Sequence, residues 1–345
     1  MTDAASSPGV SQPGPVKPPL RDRLPIVSHL RRSVGLQRTM LVIGLVILVV
    51  FLLAAVFAPL LAPYGFAQQS AGGVKFGTQQ PPNATNLLGT TVSGFDVLSR
   101  TIWGAQTALL AIVCAILFSI FLGIFLGLFS GYFGGWLDRT LVVVCDAIYA
   151  FPSLLLAIVM SIVISRGQST LWGGILATAI AITVVFVPQY FRVIRAEVVR
   201  VKAEPFVESA RVIGVPTGRI LVRHVLRNST RSLPVVITLN ASEALLTMAG
   251  LGFLGFGIEA TAAAEWGYDL NRAVADVASG IWWTAIPPGV AIVLVVLGVT
   301  LVGESLNDLS DPRLRTRRRA RSVPASVTPA QVRTSGEAAS EGGIS

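Results

Sequence analysis

MLVIGLVILVVFLLAAVFA, the stretch Met40–Ala58, contains no polar side chain. About twenty apolar residues, rising about 1.5 Å each as a helix, cover the hydrocarbon layer of a bilayer. Pro59 and Pro63 follow immediately and mark the end of the run at an interface. Working outward, Ala108–Phe129 carries no charge, and Leu141–Ile164 is interrupted only by Asp146. Leu171–Phe191 is a fourth apolar run, whose helix continues beyond it as a polar stretch. Ser232–Ile258 holds Glu243 and becomes glycine-rich, and Ile281–Gly303 opens with Trp282 and Trp283, suited to anchoring at a membrane surface. The pattern predicts an all-α integral membrane protein of six transmembrane helices, with both termini on one side.

Composition agrees. Of 345 residues, 52% are hydrophobic and 13% charged, and the mean hydropathy is +0.69. A soluble core of that size would lack a polar coat. The net charge of +9 sits in blocks between apolar runs, which fits orientation in a membrane, with lipid as a partner and no nucleic acid. With the amino terminus in the cytoplasm, every one of the 27 Lys and Arg falls inside except Lys75, Arg100, Arg166 and Arg272. The expected location is a bacterial cytoplasmic (inner) membrane, crossed several times, with both termini cytoplasmic. Cys114 and Cys145 lie inside apolar runs and imply no disulfide framework.

Residues 1–37 form a basic tail, expected to be largely disordered and without a secretory signal; residues 312–345 form a second, arginine-rich tail able to touch lipid. Between them, 38–311 is the transmembrane domain. Its connection 62–104 contains Gly72-Gly73 and Pro81-Pro82 and ends in an amphipathic stretch, Phe95–Trp103, expected to be a surface helix leading into the second span. The loop Ala260–Gly280 is acidic, with Glu265, Asp269 and Asp276.

The loop 203–227 carries the functional signal. Glu204-Pro205 is a helix start, Phe206, Val207, Ala210 and Ile213 give an apolar face, and Gly214 with Pro216 ends it. Thr217 is placed to cap a second helix, in which Ile220, Leu221, His224, Val225 and Leu226 recur at helical spacing. Two helices around a glycine elbow can seat as a unit in a groove of another subunit. The alternative is a solvated cytoplasmic loop bearing topogenic arginines.

Glu208-Ser-Ala-Arg-Val-Ile-Gly214, nine residues, then His224-Val-Leu-Arg227 resembles the EAA loop of ABC importer permeases. More narrowly, the chain resembles the C-type permease of dipeptide and oligopeptide importers. Leu88-Gly-Thr90 with Phe95-Asp-Val-Leu-Ser-Arg100, Gly131–Trp136, Asp146 with Phe151-Pro152, Gly252–Gly255, Glu265-Trp-Gly267 and Asp311–Arg315 carry that resemblance across residues 86–315. Five positions depart from it: Ser209 replaces an alanine, Arg227 a proline, Thr91 and Phe95 an aspartate and an arginine, and Met248 a glutamate. The resemblance implies a type I ABC importer permease fold. It implies coupling to ATPase subunits through Glu204, Phe206, Glu208, Ser209, Ala210, Arg211, Gly214, Val215, His224 and Leu226. The implied partners are a homologous B-type permease subunit, one or two ABC ATPase subunits and an extracytoplasmic peptide-binding protein. The implied mechanism is alternating access.

No phosphate loop of the form Gly-x-x-x-x-Gly-Lys-Ser/Thr occurs, so ATP and Mg are expected on the partner ATPases and no cofactor on this chain. His29 and His224 are too few for a metal cluster or a catalytic triad, and the chain is expected not to be an enzyme itself. Asp146 and Glu243 lie inside spans and are expected to face inward. Either they line the translocation path, or they bond to neighbouring helices carrying Thr183, Gln189 or Asn240; Asn240 and Met248 carry the same two readings, path or packing. A nickel or metal-chelate importer has a closely similar permease. An ion-driven secondary transporter would need inverted repeats, and a scaffold without transport would give no ATP hydrolysis in response to a binding protein.

Overall fold

The structure, a computed structural model, describes residues 36–165 and 171–310. Apart from Leu36 and Gln37, both tails and the Asp311–Arg315 match lie outside the described residues. The chain opens with α1 (Leu36–Val56) and a short α2 (Ala58–Leu61) with Pro59 in its first turn. A two-stranded ribbon, β1 (Ser70–Ala71) and β2 (Val74–Lys75), turns at Gly72 and Gly73, both at positive φ. Next come α3 (Val97–Phe133), α4 (Gly135–Tyr149), α5 (Ser153–Ser165) and α6 (Leu171–Lys202). The elbow follows, built from α7 (Pro205–Val212), α8 (Thr217–Arg219), a π-helical stretch (Ile220–Leu226) and α9 (Arg227–Ser229). Then come α10 (Leu233–Phe253), α11 (Trp266–Ala278), a 3₁₀ turn (Trp282–Thr284) and α12 (Ile286–Ser310). Five helices are long and apolar enough to cross a membrane, and six crossings result if the bent pair α4–α5 counts as one.

Three expectations are corrected. The stretch Phe95–Trp103 leads into the second span, within the 37 unbroken residues of α3, but it is no surface helix: Val97, Ser99 and Arg100 are buried. Asp96 caps that helix, its carboxylate accepting from the Ser99 backbone N–H at 2.8 Å. The third apolar run is no straight span. It bends by 98° between α4 and α5, where Pro152 cannot donate a backbone hydrogen bond and restricts the residue before it. The acidic loop 260–280 is largely helix, because Glu265 caps α11 by accepting from the Gly267 and Tyr268 N–H groups at 2.9 and 2.7 Å.

The core is the contact between α3 and α6. Gly123, Gly127 and Gly131 recur every fourth residue on α3, so they form one stripe. A Cβ on Gly123 would fall 2.3 Å from Cβ of Tyr190, and one on Gly127 2.9 Å from the Phe191 carbonyl oxygen. A Cβ on Gly131 would come equally close to the Arg195 carbonyl oxygen, at 2.9 Å. Between helices in lipid, where the hydrophobic effect gives little, such close approach supplies the dispersion contact. The stripe continues through Ala111, Ala115 and Ser119, all buried, and Thr183 of α6 donates to the Ala115 carbonyl at 3.2 Å. A second glycine contact joins α1 to α12, where a Cβ on Gly44 would lie 2.9 Å from the Gly298 carbonyl oxygen. The opposite faces of α1 and α3 expose Val46, Val50, Leu117 and Phe121, as suits a helix solvated by acyl chains.

Candidate functional site: an elbow and a mid-span cavity

The sequence places the elbow correctly. Glu204 is the residue before α7, with extended backbone, and Pro205 occupies the first turn, where its missing N–H costs nothing. Gly214 ends the helix at φ +84°. The Val215 N–H donates to the Ala210 carbonyl at 3.0 Å and the Gly214 N–H to the Arg211 carbonyl at 2.9 Å. This is the paired closure of a Schellman motif, which needs a left-handed residue at that position. The start of the second arm differs from expectation. Pro216 stands before the first helical residue, Thr217 makes no capping bond, and the arm is mostly π-helical. Arg227, where the resemblance would put proline, lets the helix run on to Ser229.

The elbow has two faces. Val207, Ala210, Ile220 and Val225 are buried against the membrane domain. Lys202 donates to the Tyr132 carbonyl at 2.7 Å, and the Arg211 guanidinium lies 5.4 Å from the centre of the Tyr132 ring. The end of α3 therefore bears on the elbow. The other face is open: Glu208, Ser209, Arg211 and Gly214 are exposed, Val215 and Leu226 half-buried. Phe206 and His224, one on each arm, approach to 6.5 Å between ring centres. At the tip, Val212 is 83% and Ile213 80% exposed. Two aliphatic side chains projecting from a rigid turn form an apolar surface that nothing among the described residues covers.

A second group of expected residues gathers around a cavity of about 260 Å³, lined by Ile148, Tyr149, Phe151, Ser153, Leu156, Val185, Gln189 and Glu243. Asp146 lies one turn before this wall, exposed on the chain, and pairs with Arg192 at 2.7 Å. That partner stands on one of the expected neighbouring helices, since α6 carries Thr183 and Gln189 and, one turn further on, Arg192. The Arg192 guanidinium also sits 4.3 Å above the Tyr149 ring. Glu243 is exposed on the chain, on the wall of this cavity. Asn240 and Met248 are buried in helix packing, at 4% and 2% exposure, so they do not join the cavity lining.

Residues 123–316 match the family model described as the binding-protein-dependent transport system inner membrane component. The chain belongs to this family. Residues 36–82 of the permease also match a model of the N-terminal transmembrane domain of oligopeptide transport permease C. Among relatives, the dipeptide transport system permease protein DppC of Alkalihalophilus pseudofirmus is 35% identical over 88% of this chain and 96% of its own length. A putative peptide transport system permease protein of Brucella suis biovar 1 is 33% identical over 91% and 99%. The glutathione transport system permease protein GsiD of Shigella flexneri is 36% identical over 77% and 84%.

At the far end of α3 from the elbow, the permease holds a polar network that sequence reasoning missed. Arg100, 2% exposed, donates through Nε to both carboxylate oxygens of Asp269, at 2.8 and 3.0 Å. Its Nη2 lies 2.7 Å from Oδ1 of Asp269. Its Nη1 donates to the carbonyls of Phe66 and Ala260 at 3.0 and 3.2 Å, and the Phe95 ring lies 5.0 Å away. Phe95, a departure from the resembled pattern, thus becomes a wall for the guanidinium. The Trp266 indole N–H donates to the Thr101 carbonyl at 3.0 Å, over Gly104, whose Cβ would fall 2.3 Å from that ring. Gly252 leaves room for Glu265, since a Cβ there would lie 1.7 Å from Oε2. Burial pushes the Glu265 carboxyl up to about 8 against the two backbone N–H groups that favour its charge. The sequence signals for this network were the acidic residues of 260–280 and the matched segments Phe95–Arg100 and Glu265–Gly267, none of which announces that they meet.

Proposed function

We propose that this chain is the transmembrane permease subunit of an ATP-driven, binding-protein-dependent importer of dipeptides or oligopeptides, contributing half of the translocation pathway. The observation that carries the reading is the elbow: one face packed on the membrane domain, the other presenting exposed Val212 and Ile213. Glu204, Phe206, Glu208, Ser209, Ala210, Arg211, Gly214, Val215, His224 and Leu226 make it the seat for an ABC ATPase, the open face forming the contact and Ala210 with Leu226 the packing behind it. ATP and Mg would be held by that partner, whose closure would tilt the elbow and, through helices packed on it, open the cavity outward. The charge distribution supports placing elbow and termini in the cytoplasm and the 62–96 connection outside, facing an extracytoplasmic peptide-binding protein. A homologous B-type permease would complete the pathway. The relatives that transport dipeptides, other peptides and glutathione support a peptide cargo.

The test is co-expression with the neighbouring transport genes and purification through a tag on this chain. The wild type should retain an ATPase subunit and take up labelled dipeptide in proteoliposomes only with ATP and binding protein. Ile213→Asp should lose the ATPase while still inserting in the membrane. Retention of the ATPase by that variant, with full uptake, would overturn the docking assignment.

A further inference from the structure

Glu243 stands at the midpoint of α10, a helix of 21 residues, which places it about 15 Å from either end of the span. A carboxylate at that depth is costly to leave facing acyl chains, and such residues almost always face a polar interior or a water-filled cavity. Among the described residues no cation and no hydrogen-bond donor meets it. The nearby cation is not available to it, because Arg192 is held by Asp146 and stacked on Tyr149. Since that pair is neutral, the cavity keeps the charge of Glu243 uncompensated. The cavity wall also carries the polar groups of Gln189 and Ser153 and the aromatic residues Tyr149 and Phe151. A negative charge beside aromatic faces and neutral hydrogen-bonding groups is a receptor for an organic cation carrying amides.

We propose that Glu243 receives the cationic ammonium group of the cargo as it passes mid-membrane, with Gln189 and Ser153 bonding its amide groups. This rests on the reading of the chain as half of a peptide pathway, and it adds which end of the peptide the passage recognises. The contact is a weak way-station, since cargo must also leave.

The experiment uses the assembled importer in proteoliposomes and has two arms. In the first, Cys114 and Cys145 are replaced and Glu243→Cys is treated with a trimethylammonium methanethiosulfonate, which is water-soluble and enters no lipid. Labelling is expected; absence of labelling in the assembled complex overturns the proposal, since the residue would then face lipid or a dry interface. In the second, Glu243→Gln is compared with wild type on one peptide with a free amino terminus and on its N-acetylated form, each rate divided by the loaded fraction of binding protein. The expected result is a fall of fivefold or more for the free amine and less than twofold for the acetylated peptide. Equal falls, or no fall, overturn the proposal. Glu243→Asp, which keeps the charge, should restore the preference. Wild-type complex that takes up neither peptide would instead overturn the peptide-import reading itself.

Discussion

Arg100 on α3 and Asp269 on α11 lie 169 residues apart in sequence and form a bidentate ion pair that is almost wholly buried. It ties the connection 62–96, through the Phe66 carbonyl, to the segment between α10 and α12, through the Ala260 carbonyl. Removing one partner leaves the other charge buried and alone, which costs about 3–5 kcal/mol. Asp269→Asn should therefore lower the melting temperature of the detergent-solubilised complex by several degrees. Arg100→Lys should not rescue it, because an ammonium cannot reproduce the planar fork or reach both carbonyls. A lysine variant melting like wild type would show that the fork geometry is irrelevant.

The α3–α6 contact makes a different demand. Gly127 has no space for a side chain against Phe191 and Ile194, so Gly127→Leu must push the helices apart, at about 1–3 kcal/mol or more. Gly134, which has no atom within 4 Å of a Cβ, should accept alanine with only the strain of its positive φ. Comparing trypsin resistance of the two variants in membranes checks the contrast, with Gly127→Leu the faster to be cleaved.

At the elbow, Gly214 has open space but a φ of +84°. Gly214→Ala should cost about 1 kcal/mol through backbone strain alone and leave uptake close to wild type, with Gly214→Asn milder still. Gly214→Arg adds a large cation beside Val212 and Ile213 and should uncouple uptake from ATP hydrolysis while insertion is kept. Unchanged uptake and unchanged stimulated ATPase in Gly214→Arg would falsify the coupling role.

Glu265 gives a pH dependence with a definite sign. Its carboxyl is raised from 4.5 to about 8 in the folded protein by burial, so between those values the folded state binds the proton more tightly than the unfolded one. Stability must fall as pH rises through this window and level off above it, by at most about 1.4 kcal/mol per pH unit from this group. Melting curves at pH 5, 6.5 and 8 should show the decline, and Glu265→Gln should flatten it. A variant as steep as wild type would assign the slope to other groups.

The spans were legible because lipid allows no compensation: a run such as Met40–Ala58 can only be a helix. The elbow was legible because Pro205, Gly214 and Pro216 act locally. What escaped was non-local. Nothing within a few residues of Asp146 announces Arg192, and α11 was hidden because its burial rests on Trp266 fitting over Gly104 and on Glu265 filling the space at Gly252. The glycines near the end of α10 look alike in sequence, yet they divide: Gly252 makes room for a side chain, whereas Gly255, at φ +82°, stops the helix.

The length of α3 has a mechanical meaning. Its 37 residues make a rod of about 55 Å, nearly twice the hydrocarbon thickness, with the Arg100 clasp at one end and Tyr132 under Lys202 and Arg211 at the other. Sealed along its flank to α6 by a seam of glycine, alanine and serine, it has no joint at which a push could be absorbed. A tilt of a few degrees at the Tyr132 end must therefore reappear at the clasp, as it does along a crankshaft, so the two surfaces of this permease are bound to move in step.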